Sequence, residues 1–252
     1  MRFSIITCTW NSEPWLAESI ASVRMQDWPD IECIFVDGGS TDNTLAQIQS
    51  VTHPARVIGP IQGGISNAMN HGLQTATGDI VAHLHSDDFY LRPDVLSLVA
   101  KAFAASGCRW LFGRTLRAID GQLLPEGFTA PRYSRAQLLR GNFIPHPATF
   151  VARSLMLQAG GFDTSLRYAM DYDLWLKLSQ LAEPLQLDLP LAAFREHDGS
   201  LSTRNHLAAM REDLQVRLCH ASKNPVESAM HYARFCVRRQ RALHSQTKGQ
   251  DA

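Results

Sequence analysis

Phe3-Ser4-Ile5-Ile6-Thr7-Cys8-Thr9 opens the chain as an apolar run that turns polar at Thr9-Trp10-Asn11. Its length and its β-branched and aromatic content predict a buried strand. An amphipathic segment follows from Pro14 to Met25, with Trp15, Leu16, Ile20 and Val23 at helical spacing. The alternation then repeats. Ile31 to Val36 reads as a second strand, Ser40-Thr41-Asp42 as a helix start before Leu45 and Ile48, and Arg56-Val57-Ile58 as a third strand. Residues 65–75 read as helix and Asp79 to Leu84 as a fourth strand. Strands and helices alternating at this spacing predict βαβ units, and so an α/β fold with a doubly wound, mostly parallel central sheet.

Beyond Pro93 the pattern changes. Asp94 to Ala105 is helical, Trp110 to Gly113 a strand, and Leu116 to Leu124 a hairpin around Asp120-Gly121. Residues 125–147 lack clean periodicity. Ala148 to Val151 reads as a strand, Leu155 to Ala159 as a short helix and Asp171 to Leu181 as an amphipathic one. From His206 onward the chain is helical and increasingly basic. This divides it into an α/β domain over 1–204 (halves 1–90 and 91–204) and a basic helical extension over 205–252.

The 252 residues are 45% hydrophobic, with 24 cationic and 24 anionic side chains. A zero balance argues against a nucleic-acid binder, whose domains are usually clearly basic. Cys8, Cys33, Cys108, Cys219 and Cys236 are odd in number and scattered without a Cys-x-x-Cys pair, which argues against a disulfide framework or a zinc cluster and for a reducing compartment. Glu13 follows the first strand too soon for a signal peptide, and no apolar run approaches the roughly 20 residues a membrane span needs. The expected location is cytoplasmic, peripheral on the inner membrane face if the basic extension binds lipid.

In an open α/β sheet, ligands bind beyond the carboxyl ends of the strands. Polar residues collect there: Thr9-Trp10-Asn11 after strand one, Asp37-Gly38-Gly39-Ser40 after strand two, and Ser86-Asp87-Asp88 after strand four. Two adjacent buried acids repel, and a divalent cation would supply the counter-charge. Taken alone, the pair also fits a plainer account in which Asp88 caps the next turn and Asp87 is solvated.

The wider context favours the first account. Phe35-Val36-Asp37-Gly38-Gly39-Ser40-Thr41-Asp42, Gly63-Gly64-Ile65 with Ala68-Met69-Asn70, and Thr77-Gly78-Asp79-Ile80 before Ser86-Asp87-Asp88 stand in family order. Gly160-Gly161-Phe162-Asp163, Asp171-Tyr172-Asp173-Leu174-Trp175-Leu176, and Arg195-Glu196-His197 with Ser200 and Ser202 follow. Over roughly residues 2 to 203 the chain resembles the inverting family 2 glycosyltransferases, whose fold is the glycosyltransferase A type, a Rossmann-like sheet.

The resemblance implies metal-dependent transfer of a sugar from a nucleotide sugar, UDP-linked by preference, to a saccharide or lipid-linked saccharide acceptor in cell-surface glycan assembly. It implies a nucleotide side made of Thr9, Trp10, Asn11, Asp37, Gly64, Asn70, Ser86 and Asp87, with Asp37 accepting from the base. Asp88 would be the direct ligand of Mn²⁺ or Mg²⁺, with His197 completing the metal or diphosphate site. Arg195 would hold a phosphate, and His146 would face or brace the acceptor pocket. Asp171 matches the catalytic base, although Met170 stands where the family usually has Glu, and Asn67 where many relatives carry Asp. Asp37 is equally suited to an Asx turn, Trp10 to the core, and Asp173 to capping its helix.

Residues 225–245 place Arg234, Arg238, Arg239 and Arg241 around an apolar stripe that includes Phe235. That pattern suits an anionic membrane surface, packing on the catalytic domain, or a homodimer contact. A sugar nucleotidyltransferase would carry a Gly-rich loop with Arg after strand one, and Thr9 to Pro14 has neither Gly nor a basic residue. A catalytically silent nucleotide-binding relative is the other alternative, disfavoured by the presence of Asp87, Asp88 and Asp171.

Overall fold

The computed structural model describes residues 1–49, 51, 55–197, 205–221 and 225–248, without the side chains of 206 and 241–248. The first half runs β1 (Phe3–Thr9), α1 (Glu13–Arg24), β2 (Ile31–Asp37), α2 (Thr44–Ile48), β3 (Ala55–Ile58), α3 (Ile65–Thr75), β4 (Ile80–His83) and β5 (Phe89–Tyr90). The second continues with α4 (Val95–Ser106), β6 (Trp110–Ile119), β7 (Gln122–Pro125), α5 (Arg135–Leu138), β8 (Thr149–Ala152), α6 (Arg153–Gln158), α7 (Met170–Leu181) and β9 (Leu185–Arg195). Two helices close the chain, α8 (His206–His220) and α9 (Pro225–Lys248).

One mixed sheet runs β3-β2-β1-β4-β8-β6-β9-β5, with β7 paired to β6. The first four strands are parallel, as the βαβ spacing predicts. The second half adds β8 antiparallel to β4 and β6, while β9 runs parallel to β6. Register aligns Thr9 with Asp37, so the ends of β1 and β2 are level on one rim. Both faces are apolar: one buries Ile6, Ile34, Met69 and Trp110 under α3 and α7, the other Ile5, Phe35, Val99 and Phe150 under α1 and α4. Helix α3 lies close on β1, since a Cβ on Gly72 would come within 2.4 Å of Ile6 Cγ2.

Two elements depart from the sequence reading. The Trp110 strand and the first arm of the hairpin are one strand, β6, with the turn at Asp120-Gly121 as predicted. Strand β9, which the patterning does not announce, pairs with β6 through register shifts at Arg114, opposite Pro190. A proline without an N–H is accommodated at such an irregularity. The 125–147 stretch contributes only α5 and a short 3₁₀ turn at His146–Ala148.

The first half is tied by one buried acid. Glu32 is 2% exposed. Its Oε1 accepts from Ser4 Oγ at 2.5 Å, Thr77 N at 2.6 Å and Gly78 N at 2.9 Å. Burial pushes its carboxyl up, but the donors from Ser4 and Thr77, with Arg2 nearby, hold it below the ordinary glutamate range. Replacing Glu32 by Ala strands those donors, and a loss of about 2–4 kcal/mol in urea unfolding is expected.

Candidate active site

Asp37 ends β2, buried, and both carboxylate oxygens are used. Oδ2 accepts from the N–H groups of Gly39 and Ser40 at 2.8 Å each. Oδ1 accepts from Thr9 Oγ1 at 3.0 Å and Ser40 Oγ at 2.6 Å. Burial works against the charge, yet these four bonds hold the carboxyl below the usual aspartate range. The Asx-turn alternative is thus realised in the geometry. Asn11, at φ 49°, accepts from Thr41 N at 2.9 Å and fastens the first loop to the second. Trp10 is 71% exposed, which removes the core alternative and leaves an aromatic face at the rim.

Past β4 the chain turns at Ser86-Asp87-Asp88. Asp88 is 1% exposed, and its Oδ1 accepts from Arg195 N at 3.1 Å. Burial and the neighbouring Asp87 push its carboxyl well above the ordinary range. Asp87 is better presented, with Oδ2 3.1 Å from His197 Nε2. His197 therefore meets Asp87, while Asp88, expected as the direct metal ligand, is turned onto the Arg195 backbone.

The Arg195 phosphate role is corrected as well. Its guanidinium, 8% exposed, donates to the Asp87 carbonyl at 3.1 Å and to Glu18, and it stacks 4.6 Å from the Trp15 ring. With its head group engaged inside the protein, Arg195 braces the turn. Ser200 and Ser202 lie outside the described residues.

Asn70 is corrected on similar grounds. Its amide donates to Phe162 O at 2.8 Å and accepts from Phe162 N at 2.9 Å, so both ends are spent on backbone. The bracket draws Gly161, at φ 68°, against α3, where a Cβ would come within 2.5 Å of Asn70 Oδ1. Gly64, at φ 89°, is the residue from which α3 starts. Asn67 donates to Gln62 O at 2.6 Å and closes that loop on itself.

Asp171 sits in the first turn of α7. Its Oδ2 accepts from Asn142 Nδ2 at 3.1 Å and its Oδ1 from Tyr172 N at 2.6 Å. Burial raises its carboxyl to about 6, with Asp213 adding to the rise and the Tyr172 and Asn142 donors opposing it. Asp173 does not cap the helix. It lies two residues on in the same first turn, where Lys177 Nζ and His220 Nε2 each approach its carboxylate to 2.7 Å.

Three histidines link the acidic turn to α7. His85, just before Ser86, stacks on His146 at 4.7 Å with the rings 8° apart, and His146 stands 5.9 Å from Trp175. His83 lies 5.8 Å from His146. His146 is thus packed between the acidic turn and α7. His83 ends β4 and His85 follows two residues on, a period-two signal of a shared face that the sequence reading passed over; Asn142, Glu18 and Glu212 carry no local signal.

Among the described residues, no three His, Cys, Asp or Glu side chains converge to hold a metal alone. Asp87 and His197 do offer an oxygen and a nitrogen donor on one edge. Such a pair fits Mn²⁺ or Mg²⁺ when substrate phosphates and water complete the shell.

The model for glycosyl transferase family 2 matches residues 4–147. The chain belongs to this family. A chondroitin synthase of Pasteurella multocida (strain Pm70) is 32% identical over 186 residues, covering 71% of this chain and 19% of its own, so the chain spans under a fifth of that relative. An uncharacterized glycosyltransferase of Mycobacterium tuberculosis (strain ATCC 25618 / H37Rv) is 31% identical over 198 residues, 76% of this chain and 74% of its own. The fold is also that of S. aureus TarS 1-349 in complex with UDP-GlcNAc, with a TM-score of 0.73 at 22% identity over 94% of this chain and 72% of that one. The mannosyltransferase PcManGT from Pyrobaculum calidifontis, in complex with GDP-Man and Mn2+, superposes with a TM-score of 0.68 at 18% identity over 93% and 69%.

Burial drives the His83 imidazole down to about 3 from the ordinary 6.5. As pH falls below 6.5 the unfolded chain takes up a proton that the folded site refuses, so stability drops with pH. Denaturant midpoints measured from pH 7 to 5 should decline, and His83→Leu should make that decline shallower.

Proposed function

We propose that the protein is an inverting, metal-dependent glycosyltransferase that moves a sugar from a nucleoside diphosphate donor to a saccharide hydroxyl. The observation that carries this reading is the division of labour among acids. Asp37 is held ionised by four donors, Asp87 is presented with His197, and Asp171 is half-buried on a separate segment with its carboxyl raised to about 6.

In this reading Trp10 and the Thr9-Asp37 corner receive the nucleoside, and Asp87 and His197 would hold a divalent cation beside the diphosphate. Asp88 anchors the turn. A bound Mn²⁺ or Mg²⁺ would neutralise charge on the departing diphosphate. Asp171 takes the acceptor hydroxyl proton as the new bond to the anomeric carbon forms, while the bond to the diphosphate breaks and its electron pair leaves with that group. A group with proton affinity near neutrality is suited to this work.

A UDP-sugar is the favoured donor and a polysaccharide or lipid-linked saccharide the favoured acceptor. The names of relatives support this: chondroitin and hyaluronan synthases among the curated proteins, and TarS bound to UDP-GlcNAc among the structures. A peripheral membrane contact through 225–245 fits such an acceptor. No helix among the described residues is long and apolar enough to cross a membrane. The stripe that would touch lipid differs from the one the sequence suggests. Phe235 is buried and Arg238 lies against Gly141, whereas Val226, Met230 and Val237 are exposed. A homodimer contact through the same helix is the competing use of that face.

Asp171→Asn should lower the transfer rate at least ~100-fold while calorimetric donor affinity stays within about twofold. Parallel loss of both would move the base elsewhere. In the wild type kcat should fall as pH drops below about 6, where Asp171 takes up its proton. Donor binding should weaken without Mn²⁺ or Mg²⁺ and on Asp87→Ala; metal-independent binding by the wild type would refute the grip.

A further inference from the structure

The loop that delivers Asp171 has its backbone donors satisfied from 43 to 45 residues away. Helix α7 starts at Met170, and no side chain of its own segment caps it. Instead Glu212, on α8, accepts from three consecutive backbone N–H groups: Arg167 N at 2.9 Å on Oε1, and Tyr168 N and Ala169 N (2.7 Å) on Oε2. Arg167 and Tyr168 precede the helix and Ala169 is its N-cap, so the carboxylate fastens the entry loop by hydrogen bonds at the positive end of the helix dipole. Ala169, the last of the three, is the N-cap residue whose carbonyl receives Asp173 N at 3.0 Å. Asp171 follows two residues later.

Helix α8 is itself fixed to the same region. Leu214 and Val216 are buried, Arg217 donates to Arg140 O at 3.4 Å, and His220 meets Asp173. It therefore grips α7 before Asp171 and beyond it. The Arg140 contact lies two residues from Asn142, the donor to Asp171 Oδ2. Arg238 of α9 adds to this by lying against Gly141, where a Cβ would come within 3.2 Å of its Nη1.

We infer that Glu212 is a positioning residue for Asp171, and that the helical extension is a working part of the active site. The inference rests on the reading of Asp171 as the base. A general base must lie within hydrogen-bond reach of the proton it takes, and a displacement of about 1 Å in such a group costs on the order of 100-fold in rate. Releasing three N–H groups from one carboxylate frees the loop to make a shift of that size.

The test uses the full chain with a nucleotide-sugar donor that it turns over. Glu212→Gln keeps the side-chain volume and removes the charge. The expected result is a kcat lowered about 10-fold or more, with donor KM and calorimetric donor affinity within about twofold. In an Asp171→Asn background the same substitution should have little further effect, because Glu212 acts through Asp171. Should Glu212→Gln fail to fold, Glu212→Asp, which keeps the charge on a shorter arm, carries the test with a smaller loss of the same kind. An unchanged kcat, or kcat and donor affinity lost together, overturns the inference. If Asp171→Asn itself retains turnover, the base reading fails whatever Glu212 does; if it loses turnover while Glu212→Gln does not, only this inference falls.

Discussion

The site depends on one buried cation. Arg195, at the end of β9, reaches the turn after β4 with both its backbone and its side chain: its N–H binds Asp88 and its guanidinium binds the Asp87 carbonyl and Glu18. A guanidinium buried to this degree is stable only while its partners stay in place, and breaking one side of such an arrangement leaves an uncompensated charge. The residue thereby locks the last strand of the second half to the first half and to α1. His197, two residues on, is placed against Asp87 by the same lock. The carboxylate and imidazole that would share a cation come from segments 110 residues apart, and Arg195 is what makes them neighbours.

From that turn, packing carries the geometry onward. His85 stacks on His146, and His146 touches the ring of Trp175, one helical turn beyond Asp171 on α7. Rings in contact at these distances have little room for independent movement. The acidic turn and the base are therefore parts of a single packed block, which suits a reaction whose leaving group and attacking hydroxyl must sit on opposite sides of one carbon.

What could be read in the sequence follows from range. The strands, the helices and the polar strand ends are local patterns, and they were legible from Phe3 to Thr75 almost residue by residue. The order of motifs was enough to indicate the family. What each motif residue touches was not legible. Asn70 and Arg195 sit in family-like positions, yet one spends its amide on Phe162 and the other its head group on Glu18 and Asp87, contacts over 92 to 177 residues of sequence. A polar side chain in a motif looks the same whether it faces a ligand or backbone. Strand β9 was hidden for another reason: Pro190 breaks its pattern, and only pairing with a shifted β6 makes room for it.

The three kinds of aspartate environment show how one fold separates roles among chemically identical groups. Asp37 is buried but receives four donors, so its charge is secured and it behaves as a fixed anion that shapes the loop. Asp171 is half-buried with two donors and with Asp213 nearby, so its charge is undercompensated and its proton affinity rises toward neutrality. Burial pushes both carboxyls up; at Asp37 the donors outweigh it, and at Asp171 they do not. Asp88 represents a third solution. It has one backbone donor and an adjacent like charge, and a divalent cation held by Asp87 would offset that repulsion without touching Asp88. On this argument the paired acids need not both be ligands: one presents the charge, and the other holds the turn that presents it.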